Sequence, residues 1–94
     1  MDKFKILCID DETELLEIYS KILGHKYEVL RASSAAAAIT HLKENHNNII
    51  YIFSDFKMPE KNGFEIRKEI LDLGYDIPFA IITGNYDLEM ATKA

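Results

Sequence analysis

The hydrophobic and polar positions of this 94-residue chain alternate between two periods. Short apolar runs fall at Lys5 to Ile9, Tyr27 to Ala32, Ile49 to Phe53 and Phe79 to Ile82, and read as strands. Between them the apolar residues recur at helical spacing. Leu15, Leu16, Ile18, Tyr19, Ile22 and Leu23 predict a first helix that ends at Gly24. Ser33 or Ser34 is placed to cap a second helix, through four alanines, Ile39 and Leu42 to about Glu44. Phe64, Ile66, Ile70, Leu71 and Leu73 predict a third, with Gly74 as its C′ residue. Pro78 opens the fourth strand, and a further helix starts near Asp87, with Leu88 and Ala91 facing inward. The order is βαβαβαβ plus the start of a helix. It predicts an α/β fold, a doubly wound parallel sheet joined by right-handed crossovers.

The third run organises the rest. Ile49-Ile50-Tyr51-Ile52-Phe53 shows no alternation and predicts a strand buried on both faces. It stops at Ser54, and Asp55 follows. Pro59, Asn62 and Gly63 then make a loop with fixed and permissive backbone positions. A lone aspartate there caps a turn as readily as it does chemistry. In a parallel sheet, however, the carboxyl ends of strands one, three and four share one edge, which gathers Asp10, Asp11, Asp55 and Thr83. At about 5 Å and an effective dielectric of ~20, each like-charged pair costs roughly 3 kcal/mol. Either one acid stays neutral or the group binds a cation. Oxygen donors without a Cys/His pattern favour Mg²⁺ over Zn²⁺, and a hydroxyl at Thr83 can bond an anion above the metal.

Composition narrows the function classes. A formal charge of −5 gives no support for a nucleic-acid partner for this segment. No run has the apolar length to span a membrane, and the start shows no signal-peptide pattern. The single cysteine, Cys8, lies in an apolar run and reads as a reduced core thiol, so a cytoplasmic location is expected. His25, His41 and His46 have no ligand spacing and are expected at the surface. Residues 1–94 read as one domain, with no repeat or linker.

Asp10-Asp11 after the first strand, SDFKMPEKNG around Asp55 and IITGN around Thr83 together resemble the receiver domain of bacterial two-component response regulators. The resemblance covers nearly the whole chain. It implies a flavodoxin-like fold with strand order 2-1-3-4 for the strands present. It implies that Asp55 accepts a phosphoryl group from a sensor histidine kinase or phosphotransfer protein. Asp11 and Asp55 would bind Mg²⁺ directly, Asp10 would help through water, and Lys57 would lend its backbone carbonyl. Thr83 would be the switch hydroxyl, while Pro59 and Gly63 shape the loop. The role is that of a signalling phosphoacceptor, not an enzyme in the ordinary sense.

The family pattern continues with a fifth strand, a lysine at its end and a fifth helix. The printed sequence closes in what should be the fourth helix, and Lys93 lies on that helix, so the unit is expected to be incomplete. The fourth strand would then be an apolar edge, and a homodimer through Phe79 to Ile82 is expected. Two other readings stay open: a receiver-like interaction module that signals by docking alone, and an aspartyl-phosphate phosphohydrolase. The phosphohydrolase reading wants a second acid two residues after the nucleophile, where this chain has Lys57.

Overall fold

The computed structural model describes residues 4–82. Thr83, Lys93 and the helix expected near Asp87 lie outside them. Seven elements follow in order: β1 (Lys5–Ile9), α1 (Thr13–Leu23), β2 (Glu28–Ala32), α2 (Ala35–Asn45), β3 (Ile49–Asp55), α3 (Gly63–Asp72) and β4 (Phe79–Ile82). The strands form one sheet in the order β2-β1-β3-β4, with every pair parallel. The doubly wound parallel sheet expected from the alternation is the one observed, in the flavodoxin-like strand order that the resemblance implied.

The core divides by sheet face. On one side, Leu7, Ile9, Ile49 and Ile52 of the sheet pack with Ala38 and Leu42 of α2 and Ile66 and Ile70 of α3. On the other, Ile6 and Cys8 pack with Leu16 of α1, backed by Tyr19, Leu23 and Phe53. Ala38 is fully buried, because a methyl side chain lets α2 sit close to the strands. Each helix start satisfies part of its free N–H groups differently. Ser34 Oγ accepts from Ala37 N–H at 3.1 Å. Asn62 and Glu65 form a reciprocal capping box at the start of α3, two bonds of 2.9 Å. Glu12, before α1, gives no side-chain cap, but its own N–H is taken by the Asp10 carboxylate.

Several sequence expectations need correction. β3 does not stop at Ser54: both Ser54 and Asp55 belong to the strand, because Asp55 pairs in register with Ile82 and Phe56 N–H continues the ladder to Ile82 O. Nor is β3 buried on both faces, since Ile50 and Tyr51 are 37% and 36% exposed. Among the described residues α1 alone covers that side of the sheet, and it leaves Tyr51 open to solvent. On α1, Leu16, Tyr19 and Leu23 share one stripe, while Ile18 and Ile22 point outward at 48% and 66% exposure. Two residues on is about 200° round a helix, so Leu16 and Ile18 cannot share a face. Leu71 of α3 and Leu73 just after it are likewise exposed beside the buried pair Ile66 and Ile70. Gly24 ends α1 in a right-handed conformation (φ −67°), and only Gly74 takes the left-handed one expected of a helix-ending glycine (φ 95°). His41 is partly covered, its Nε2 against Arg31 O at 2.9 Å.

These corrections lead to a stability test. Ile52→Ala should cost about 3 kcal/mol, the usual effect of emptying a fully buried aliphatic site. Ile18→Ala should stay within about 0.5 kcal/mol. Urea unfolding of both variants checks this, and similar losses would mean that α1 buries the wrong face.

Candidate functional site

Parallel pairing carries the ends of β1 and β3 to one edge of the sheet. Ile9 pairs with Ser54, so Asp10, which follows β1, and Asp55, the last residue of β3, come to the same level on adjacent strands. Asp10 is 1% exposed. Its N–H donates to Ala32 O at 2.9 Å, and its Oδ1 accepts from Glu12 N–H at 2.9 Å. Asp11, next in the chain, is exposed, and Asp55 is half-buried. Each of the three offers a carboxylate oxygen, and those oxygens lie within 4.8 Å of one another.

Burial pushes the Asp10 carboxyl above the usual range; the Glu12 N–H opposes this, and the charge of Asp11 adds to it. Asp55 is also raised, by burial first and then by Asp10, while the Phe56 N–H on its Oδ1 at 2.9 Å works the other way. Ionising these acids together therefore crowds negative charge at an edge that is partly removed from water. The donors are hard oxygens with no nitrogen or sulfur ligand in the group. Such a set fits Mg²⁺, which takes one or two carboxylates and keeps several waters. Tyr19 of α1 also feels the acids: after burial, the charges of Asp10 and Asp55 raise its hydroxyl. Its place in an apolar stripe gave no sign of this.

The loop from Phe56 to Asn62 is held against the edge. Pro59 O accepts from Lys61 N–H at 2.8 Å, and Glu60 between them has φ 72°, a tight turn in a conformation uncommon outside glycine. Gly63 N–H donates to Phe56 O at 2.8 Å. A Cβ on Gly63 would stand 3.0 Å from Asp55 O and 3.3 Å from Phe56 Cα, so glycine is what lets α3 start against the acidic edge. Phe56 and Phe64 meet edge to face at 5.2 Å, and Lys61 pairs with Glu69. Lys57 is exposed in this loop, and Pro59 is exposed at its turn. The structure thus brings Asp10, Asp11 and Asp55 together, with Gly63 packed behind Asp55. Asn62 read only as a loop residue, although Asn-x-x-Glu before an apolar run is a capping-box signal.

The fold and this edge define a class: a doubly wound α/β domain with an acidic cluster where such sheets place their chemistry. The chain belongs to the response regulator receiver domain family, whose model matches residues 6–94. A two-component response regulator of Arabidopsis thaliana is 30% identical over 90 residues, 95% of this chain but only 15% of that protein. A response regulator receiver domain protein from Clostridium thermocellum, known as a crystal structure, is 36% identical, with a TM-score of 0.83 over 96% of this chain and 75% of that one. The non-phosphorylated HemR receiver domain from Leptospira biflexa is 25% identical, with a TM-score of 0.81 over 97% of this chain and 73% of its own. The chain is therefore a receiver domain of the two-component response regulator type.

The pKa directions fix a sign. A carboxyl raised in the folded state binds more protons than in the unfolded chain. Its penalty is absent below the ordinary Asp value of 3.8, grows as pH rises above it, and is complete once pH has passed the raised value. In chelator at pH 7, Asp10→Asn should raise the melting temperature by about 5 °C, or about 1 kcal/mol for a domain of this size. The gain should fade towards pH 3.5. Circular dichroism melts at the two pH values check it, and a gain that grows on acidification would reverse the assignment.

Proposed function

We propose that this domain takes a phosphoryl group on Asp55 from a sensor histidine kinase or phosphotransfer protein, with Mg²⁺ held by Asp10, Asp11 and Asp55. The observation that carries this is the asymmetry of the three acids. Asp10 is buried and committed to Glu12 N–H, and Asp11 is exposed beside it. Asp55 is half-buried on the central strand, has one oxygen fixed by Phe56 N–H, and accepts no bond on Oδ2 from the described residues.

Asp55 then acts as the nucleophile. Its carboxylate oxygen forms a bond to phosphorus as the P–N bond of the phosphohistidine breaks, and the electron pair leaves on the imidazole nitrogen, which later takes a proton. When bound, Mg²⁺ supplies positive charge against the phosphoryl oxygens and the carboxylates. Asp10 and Asp11 hold the negative potential that would retain the cation, and the Phe56 N–H keeps Asp55 oriented. The Lys57 backbone carbonyl is proposed as a further metal ligand, and Thr83 as the hydroxyl that meets the phosphoryl group, both from the family motifs. Pro59 and Gly63 would shape the loop between Asp55 and α3, which carries Lys57. The domain would assist its own phosphorylation and dephosphorylation in this way. A cytoplasmic setting agrees with a buried free Cys8 whose thiol burial pushes up to about 11.

Incubation with acetyl phosphate and Mg²⁺ should add one phosphoryl group, seen by mass spectrometry. Asp55→Asn should abolish it, and Asp11→Ala should lose most of the Mg²⁺-dependent rise in melting temperature. A phosphorylated Asp55→Asn protein would refute the site.

We also propose a homodimer through the edge of β4. Among the described residues β4 pairs only with β3, and Ile82 is 38% exposed, so the other edge of β4 is where a second copy would add. Light scattering after size exclusion at micromolar concentration should give twice the monomer mass. A monomer with slowly exchanging Phe79–Ile82 amides would exclude this mode.

A further inference from the structure

We infer that Ser54 is a positioning residue for Asp55, acting through the peptide plane that joins Asp55 to Phe56. The inference rests on the phosphoacceptor reading above. Ser54 is 1% exposed, on a strand face where its neighbours in register are Ile9 and Ile81 and the residue two before it is Ile52. An unpartnered hydroxyl would be costly in such surroundings. Its partner is the carbonyl oxygen of Asp55, to which Ser54 Oγ donates at 2.9 Å.

That carbonyl and the Phe56 N–H are the two ends of one planar peptide unit. At the far end, the Phe56 N–H is shared between Asp55 Oδ1 at 2.9 Å and Ile82 O at 3.1 Å. Behind the carbonyl stands the start of α3, close enough that a Cβ on Gly63 would come within 3.0 Å of the oxygen. Swinging the plane one way drives the carbonyl into α3. Swinging it the other way stretches the Ser54 bond and takes the N–H off the carboxylate. The hydroxyl therefore holds the plane, the plane aims the N–H, and the N–H holds Oδ1 so that Oδ2 faces the donor. Ser54 touches neither metal nor phosphorus; it works through Asp55.

Ser54→Ala removes one buried oxygen, and Ser54→Thr keeps it. Three measurements apply to wild type and both variants: phosphorylation by acetyl phosphate over a range of donor concentrations, melting temperature, and hydrogen exchange of individual amides by NMR without metal. For Ser54→Ala the expected result is a maximal rate lower by about five- to tenfold, the factor one neutral hydrogen bond carries, with unchanged donor half-saturation. The Phe56 amide should exchange faster by a similar factor, while the Ile52 amide, bonded to Pro78 O at 2.9 Å, keeps its protection. Ser54→Thr should recover both. The proposal is overturned if Ser54→Ala keeps the wild-type rate, if the rate falls with no change at Phe56, or if Phe56 and Ile52 loosen together. Should the added methyl of Thr disturb the fold, the amide pattern of Ser54→Ala decides. If wild type takes no phosphoryl group at Asp55, the phosphoacceptor reading fails by itself, and the Phe56 amide still reports whether Ser54 holds the plane.

Discussion

The functional edge depends on β3 being paired on both sides in parallel. Pairing with β1 brings Asp10 and Asp55 level, and pairing with β4 sets Ile82 beside Asp55. Neither acid would choose the other's company, since like charges within 4.8 Å repel by about 3 kcal/mol even at an effective dielectric of ~20. The ladder imposes the contact, and the hydrophobic packing behind it supplies the free energy. Leu7, Ile9 and Ile52 are almost wholly buried at the level just before the acids begin. The edge is thus a place where local electrostatics oppose folding and packing overrides them. Sites of that kind are poised to bind cations and to respond when charge is added.

The loop after Asp55 shows the same opposition in its backbone. Glu60 accepts a left-handed conformation that costs roughly 1–2 kcal/mol outside glycine, so that Pro59 and Lys61 can close a tight turn. The capping box of Asn62 and Glu65 and the close seat of Gly63 on Asp55 then anchor the start of α3. These contacts limit the directions in which the backbone of Asp55 can move. A change at Asp55 is felt first along the two routes that touch its peptide, through Gly63 into α3 and through Ile82 into β4.

The two sheet faces are unequal. Two helices seal the side of Ile52 and Ser54, whereas among the described residues α1 alone covers the side of Tyr51 and Phe53. The acids project at the top of the less covered side, close enough for their charge to reach Tyr19.

Much of this was legible in the chain itself. Unbroken apolar runs separated by helical stripes determine the order of elements, and parallel topology follows from that order because short βαβ connections allow few other solutions. The positions of Asp10, Asp11 and Asp55 at strand ends follow too, and with them the acidic edge and the family. Tertiary structure decided what periodicity leaves degenerate. Leu16 and Ile18 are equally apolar, and only docking on the sheet determines which one is buried. Ile49 to Phe53 reads as doubly buried, but burial depends on which elements cover each face, and Tyr51 is left open. Ser54 is an unremarked polar residue in the sequence. Its hydroxyl acquires a role only because Gly63, later in the chain but adjacent in space, closes on the same carbonyl. Sequence pattern records which residues prefer to leave water; the sharing of one peptide plane by three distant segments is a property of their packing.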